Sequence, residues 1–483
     1  MDRAHRMASR KCRTIHRLNE TARILDRALE ANGIKPSEKE PFLNWVMTSM
    51  WNNFKQDRMN RRLIIENDIK DLKLRFPNGT VKKQYSEFFS LPLDKISDIT
   101  LDGIEDLGLS LIIDDNGLCS LAGRPTQVGD FTLKLRYNTI EGEPRSELSI
   151  PIAFNPNPRD LWKNIPTDHN ILFYKPDSEC EYVKVESKAD GMPCKDIVAA
   201  SQRGRSHAQE GKPRDDHFRL FHCDDSDWYV IAVADGAGSA KFSRRGSEIA
   251  CNVVVEECKK RLTNNPAFED AIRDYNAQPE DMEKRIRMTN YVHDIVLLTA
   301  LKAHEAINTV AAVNSENARL KDFATTLMFA ICKKFEFGWF IASFWVGDGA
   351  ICILDTDHKI IKLLGTPDEG EFSGQTRFLT MPEIFRDPDL MKKRLRATIV
   401  PDFTALFLMT DGVSDPMFET DKNLNDYVKW EEFYRRLTNG FPEDAIGGVD
   451  LSDDNEQSKE QLLKWLDFWS QGNHDDRTIA ILY

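Results

Sequence analysis

The sequence predicts an α+β chain in three successive parts, with helices first, a small all-β unit second and a larger mixed unit last. Three observations predict it. Apolar residues recur at three-and-four spacing from about residue 14 to 74, short alternating runs separated by Gly, Asp and Asn fill 80–155, and apolar runs between 198 and 483 repeatedly end in acidic turns. The domain boundaries that follow are a helical region over 1–75, a β-sandwich over 76–156, a linker over 157–197 and the large unit over 198–483.

Composition narrows the class. At 483 residues the chain exceeds one ordinary domain, and a formal net charge of -13 argues against a general nucleic-acid binder. Nine scattered cysteines without a Cys-x-x-Cys pair fit neither a disulfide framework nor a zinc knuckle, and point to a reducing cytoplasm. The uncharged runs 228–234, 323–332 and 340–346 fall far short of the roughly 18 residues a membrane span needs, so no membrane association is expected. Residues 1–17 carry Arg3, Arg6, Arg10, Lys11, Arg13 and Arg17, a pattern open to a transit peptide or a contact with an acidic partner, with a solvated helix face as the plainer reading.

Over 14–31, Ile15, Leu18, Ala22, Leu25 and Leu29 mark one face of an amphipathic helix that Gly33 and Pro36 end. From about 38 to 74, Phe42, Trp45, Val46, Met50 and Phe54, then Met59, Leu63, Ile64 and Ile69, mark a second helix. The two form a helical hairpin or short coiled coil whose aromatic stripe reads as core. The turn Phe76-Pro-Asn-Gly79 then opens the β-rich part. Within it Gly108-Leu-Ser, Asp114-Asp-Asn-Gly117, Ala122-Gly-Arg-Pro-Thr126 and Gly129-Asp-Phe-Thr resemble the immunoglobulin-like domains of bacterial proteins, which implies a spacer or docking module without catalysis. Pro151, Pro156, Pro158 and Pro166 introduce the linker.

The large unit is organised around 230–250. Val230 to Ala234 reads as a buried strand, and Asp235-Gly-Ala-Gly-Ser239 turns sharply at its end. A helix follows from Ser243, taken as its N-cap, to about 262, and a second runs over 282–314 after an interruption at 264–279. A carboxylate at a strand end suits a hard divalent cation, and a neighbouring glycine lets a carbonyl approach the same ion. One Asp-Gly is equally a common turn. Here, however, the motif repeats in order: Asp215-Asp-His-Phe218, Asp235-Gly, Gly347-Asp-Gly349, Asp411-Gly-Val-Ser-Asp415 and His474-Asp-Asp476, each beside an apolar run.

With Gly204-Arg-Ser-His207 and Gly211-Lys-Pro-Arg-Asp-Asp216 ahead of Ala234-Asp-Gly-Ala-Gly-Ser239, this order resembles the protein phosphatase 2C (PP2C) family of metal-dependent protein phosphatases, in particular a bacterial branch. The resemblance covers about 198–483. It implies a PP2C-like α-β-β-α sandwich and a phosphoserine/phosphothreonine phosphatase acting through a water bridging two Mg²⁺ or Mn²⁺ ions. It also implies a phosphorylated protein substrate and a cognate kinase. Carried over by position, Asp235 matches the aspartate bridging both metals and Gly236 the residue lending its carbonyl. Asp411 and Asp475 match further ligands of the first metal, Asp216 closes the early acidic motif, and Asp215 stands where relatives have Glu or Gln, both being counted among the metal residues. Asp348 sits where many relatives bind a third ion together with the aspartate matched by Asp411, and Asp415 is a further candidate there. Asp235, Asp216 and His207 are the catalytic candidates.

Two departures from the family pattern stand out. Ala237 fills the place of a frequent general-acid histidine, and the spacing of the phosphate-gripping arginine differs, leaving Arg205, His207 and Arg214 as candidates with His207 favoured. The alternative reading is a weakly active PP2C-like scaffold that binds a partner through its N-terminal modules.

Overall fold

The computed structural model describes residues 23–186, 194–313, 317–368 and 376–483; the basic stretch 1–17 lies outside them. The chain divides at Pro156 into two compact units, Met1–Pro156 and Asn157–Tyr483.

In the first unit a helix over 23–31 (α1) turns at Gly33, whose φ of 82° favours glycine, into α2 (Pro36–Asp71). Lys39 pairs with Asp26 across the turn. The strands are β1 (Gly79–Thr80), β2 (Tyr85–Ser90), β3 (Ile96–Asp102), β4 (Leu109–Ile113), β5 (Leu118–Gly123), β6 (Gly129–Thr139) and β7 (Gly142–Asn155). They form a four-stranded sheet in the order β1-β7-β6-β3 and a three-stranded sheet in the order β2-β5-β4. Leu133, Leu135, Ile150 and Ile152 of one sheet share a core with Leu109, Cys119 and Leu121 of the other. Ile65 and Ile69, near the end of α2, join that core, and Arg61 holds Glu141 at 2.7 Å. The aromatic stripe of α2, expected as core, is instead exposed at Trp45, Met50 and Phe54. Only the last turns of the helix reach the sandwich, so the earlier ones have no sheet to cover them.

The second unit begins earlier than the sequence suggests. Residues 157–197, expected as a linker, contain a 3₁₀ turn (Pro158–Leu161) and a strand, β8 (Ser178–Val183). Buried Arg203 ties this stretch down, donating to Asn164 Oδ1 at 2.6 Å and Ile165 O at 3.2 Å and pairing with Asp177 at 3.0 Å. The remaining strands are β9 (Ile197–Gln202), β10 (His217–His222), β11 (Tyr229–Ala234), β12 (Leu327–Phe335), β13 (Gly338–Val346), β14 (Ala350–Asp355), β15 (Ile360–Gly365), β16 (Leu395–Val400), β17 (Ala405–Met409) and β18 (Arg477–Leu482). The helices are α3 (Arg205–Glu210), α4 (Ser243–Leu262), α5 (Pro266–Ala277), α6 (Met282–Val292), α7 (Leu298–Val313), α8 (Glu383–Arg386), α9 (Pro388–Lys393), α10 (Asp411–Phe418), α11 (Tyr427–Asn439) and α12 (Ser458–Trp465).

Two antiparallel sheets result, β10-β11-β12-β13-β16 and β15-β14-β17-β18-β9-β8. Ile231, Val233, Ala330 and Ile341 of the first pack against Ile197, Ala199, Leu406, Leu408 and Ala480 of the second. The opposite faces are covered in turn, by α4 to α7 over Val230, Ala232 and Ala234, and by α10 to α12 over Phe407, Met409 and Ile479. This is the α-β-β-α sandwich. Burial on both faces explains why these strands read as continuous apolar runs instead of alternating ones, and truncating a side chain such as Ile231 to Ala would cost about 2–5 kcal/mol.

Three local differences have identifiable causes. The interruption expected at 264–279 is itself α5, started by Asn265, whose side chain accepts from Phe268 N, with Pro266 in the first turn. Ser243 opens α4 without capping it as an acceptor, since its hydroxyl donates back to Ala240 O at 3.1 Å. The helical stretch Met282–Val313 is long and apolar enough to cross a membrane by length and composition, yet Val292, Ile295, Val296, Ala300, Ala303 and Ile307 lie in the core beside α4.

Candidate metal centre

Strand register brings the acidic turns to one edge. His217 pairs with Ala234 across β10 and β11, so Asp216 and Asp235 leave the sheet side by side. In the other sheet Ala350 pairs with Met409 and Met409 with Ile479, which brings Asp348, Asp411 and the 475–476 pair to the same edge. Asp235, Asp348 and Asp411 each offer a carboxylate oxygen within 4.8 Å of the others.

Each acid is held by its neighbours. The Asp235 amide donates to Thr326 Oγ1 at 2.8 Å, and its carbonyl accepts from Thr325 Oγ1 and Thr326 N, both at 2.8 Å. Asp216 Oδ2 accepts from Thr478 Oγ1 at 2.7 Å and Thr410 Oγ1 at 3.0 Å, and Asp348 Oδ2 accepts from Thr376 Oγ1 at 2.5 Å. Gly236 has to be glycine: a Cβ there would lie 2.7 Å from Asp215 O, forcing the two acidic segments apart.

The electrostatics follow from burial and crowding. Burial, then the charges of Asp216, Asp411, Asp475 and Asp348, push the Asp235 carboxyl well above the usual range. Burial, then Asp348, Asp475, Asp415 and Asp216, do the same to Asp411. Asp216 is raised by burial and Asp476, and Asp415 to about 6 by burial and Asp348. Among the described residues, Asp348 Oδ1 and Asp411 Oδ1 are buried and have no hydrogen-bond partner. Several buried carboxylates with unused oxygens and no neutralising cation among them form the donor set of a hard divalent ion, which would reverse the repulsion. The residues present therefore fit Mg²⁺ or Mn²⁺.

The other expected site residues sit around this cluster. Asp475 lies close enough for its charge to act on Asp235 and Asp411, while its Oδ1 accepts from Asp476 N at 2.8 Å. The Asp215 carboxylate faces another way, 3.9 Å from His207 Nε2 and 3.9 Å from Arg244. Asp215 also lines a pocket of about 450 Å³ together with Lys212, Gly238, Lys241 and Phe242. His207 is buried, with Nδ1 3.0 Å from Asp476 Oδ1. Of the arginines, Arg214 is fully buried with Glu179 and Ser201 O, and Arg205 pairs with Asp467 over the Trp469 ring. Both arginines are thus held by other partners. Ala237 lies in the loop beside Asp235, its amide donating to Ala324 O at 3.0 Å.

Sequence reasoning missed the residues that hold the acidic turns in place. Asp476 accepts from Gly204 N at 2.6 Å, Asp215 N at 2.5 Å and Asp216 N at 3.4 Å as well as from His207. The only signal was its adjacency to Asp475. Thr325, Thr326, Thr410 and Thr478 gave none, since a threonine beside a strand is ordinary.

The family model for protein phosphatase 2C matches residues 203–467. No curated protein matches the chain. Among solved structures, a bacterial serine phosphatase shares 15% identity over 59% of this chain and 96% of its own, with a TM-score of 0.32. The serine/threonine phosphatase Stp1 from Staphylococcus aureus shares 14% over 65% of this chain and 98% of its own, at 0.33. The catalytic domain of the phosphatase PstP, in complex with two manganese ions, shares 14% over 63% and 98%, at 0.30. With more than half of its length matched by the family model, the chain belongs to the protein phosphatase 2C family, a family of protein serine/threonine phosphatases.

Proposed function

We propose that the chain hydrolyses phosphoserine or phosphothreonine in proteins at a two-cation site built on Asp235. The observation that carries this reading is the convergence of Asp235, Asp348 and Asp411 within 4.8 Å, with a buried unpartnered oxygen on two of them. Asp235, Asp348 and Asp411 would hold Mg²⁺ or Mn²⁺, with Asp216, Asp475 and the Gly236 carbonyl alongside. Bound there, such ions supply positive charge that acidifies a water and neutralises phosphate oxygens during in-line displacement.

The protein's own groups do the rest. Thr410 and Thr478 orient Asp216 from one side. Thr325 and Thr326 fix the Asp235 backbone. His207, held through Nδ1 by Asp476, keeps a proton on Nε2 beside Asp215 and the Gly238 loop. There it can contact the phosphate or protonate the departing serine oxygen. A kinase of matching specificity supplies the substrate, and the first unit serves as an immunoglobulin-like docking module. A cytoplasmic setting is supported by the eight described cysteines, all free. The test is Mn²⁺-dependent release of phosphate from phosphopeptides, abolished in Asp235→Asn. Equal release in excess chelator overturns the reading.

A further inference from the structure

Lys175 lies outside the residues matched by the family model, in the stretch expected to be a linker, yet it is 5% exposed. Its ammonium donates to Asp216 O at 3.0 Å, Asp215 O at 3.3 Å and Ser247 Oγ at 2.8 Å. Ser247 Oγ in turn donates to Asp215 O at 2.5 Å. A buried lysine ordinarily sits against a carboxylate. Here three donors meet two backbone carbonyls and a hydroxyl, which uses the full capacity of the group.

Those two carbonyls belong to consecutive acids ahead of β10, where, among the described residues, no neighbouring strand supplies partners. Each of the four backbone polar groups of Asp215 and Asp216 must therefore be satisfied by a side chain. Both amides go to Asp476 Oδ2 and both carbonyls to Lys175. The segment is clamped from its two sides, by the Asp476 carboxylate on the N–H side and the Lys175 side chain on the C=O side. Its side chains then leave in fixed directions, Asp216 towards Thr410 and Thr478 and Asp215 towards His207.

We propose that Lys175 is a positioning residue for the metal centre, supplied from the stretch ahead of the matched residues and acting through the backbone of Asp215–Asp216. The inference rests on the phosphatase reading of the site. Groups that orient ligands without touching the ion typically cost 10- to 100-fold in metal affinity when removed.

The test is Mn²⁺ binding by calorimetry on the full chain as parent, Lys175→Met and Lys175→Gln, with thermal melting of each metal-free protein alongside. The expected result is at least tenfold weaker Mn²⁺ binding in Lys175→Met, partial recovery in Lys175→Gln, which keeps a donor, and a larger loss in kcat than in KM. Binding within twofold of the parent in a folded Lys175→Met overturns the proposal, whatever happens to its melting temperature. If Lys175→Met does not fold, Ser247→Ala takes its place, since it removes the hydroxyl bridging Lys175 to Asp215 O; several-fold weaker binding supports the clamp and unchanged binding overturns it. A parent that takes up no Mn²⁺ overturns the metal reading of the site and this inference with it.

Discussion

His207 Nδ1 lies 3.0 Å from Asp476 Oδ1, and both side chains are almost fully buried. Burial opposes the imidazolium, but Asp476 outweighs it, with Asp215 and Asp475 adding to the effect, and the histidine pKa rises from 6.5 to about 9. A group whose folded pKa is raised contributes stability that is complete below its unfolded pKa and is lost as pH climbs through the folded one. The metal-free protein should therefore lose stability between about pH 6.5 and 9. Asp476→Asn, which breaks a buried pair, should destabilise it by about 3–5 kcal/mol and flatten that loss. Urea unfolding at pH 6 and pH 9.5 checks both. A variant that declines across this window as steeply as the parent would show that the pair is not the source.

The carboxylate cluster predicts an opposite pair of effects from one substitution. Asp235 and Asp411 are held well above the usual carboxylate range by burial and then by the surrounding aspartates, so above the unfolded carboxylate pKa, neutral pH included, they destabilise the metal-free fold. Asp235→Asn or Asp411→Asn should raise the metal-free melting temperature by a few degrees, about 2–4 °C per kcal/mol in a domain of this size. The same variants should lose the upward shift that Mn²⁺ gives the parent. Melting curves with chelator and with Mn²⁺ measure both, and a metal-free variant less stable than the parent would contradict the repulsion argument.

Truncation separates the two units. A fragment starting at Asn157 keeps β8, Lys175 and the partners of Arg203, and should retain Mn²⁺ binding and hydrolysis of a small aryl phosphate. One starting at Val198 loses an edge strand, takes Asn164, Ile165 and Asp177 from Arg203 and takes Lys175 from the 215–216 carbonyls, so it should be unfolded or inactive. Circular dichroism and aryl phosphate turnover on the two fragments decide the matter. Equal activity of both would mean that 157–197 is a linker after all.

How much of this was legible depends on which interactions are local. The strands and the acidic turns at 215–216, 235, 348, 411 and 475 could be read because an apolar run and the turn that ends it are contiguous in sequence. The family order then pointed to their meeting. What the sequence hid was support arriving from far away: Asp476 and Thr478 reach Asp216 from 260 and 262 residues on, and Lys175 reaches it from 41 residues before. The 157–197 stretch looked like a linker because its prolines signal turns, whereas its place is decided by Arg203 and by pairing with β9. The stripe on α2 shows the converse error, since periodicity identifies a face and says nothing about whether anything packs on it.

The last prediction concerns the proton for the leaving oxygen. Ala237 cannot supply it, and its loop is fixed by the hydrogen bond from Ala237 N to Ala324 O. The same loop lies against His207, where a Cβ on Gly238 would stand 3.7 Å from Nε2. With a pKa raised to about 9, His207 keeps that proton at neutral pH. General acid catalysis is typically worth about 10²–10⁴ in rate and matters most when the leaving group is a poor one. A serine alkoxide needs the proton and an aryl oxide scarcely does. His207→Gln should thus lower phosphoserine turnover by about 10²–10⁴ but aryl phosphate turnover by less than tenfold. Ala237→His in that background should recover part of the phosphoserine rate alone. Steady-state rates of both substrates on the parent, His207→Gln and the double variant decide it. An equal loss on the two substrates would assign His207 to holding the phosphate or the fold, and the proton to another group.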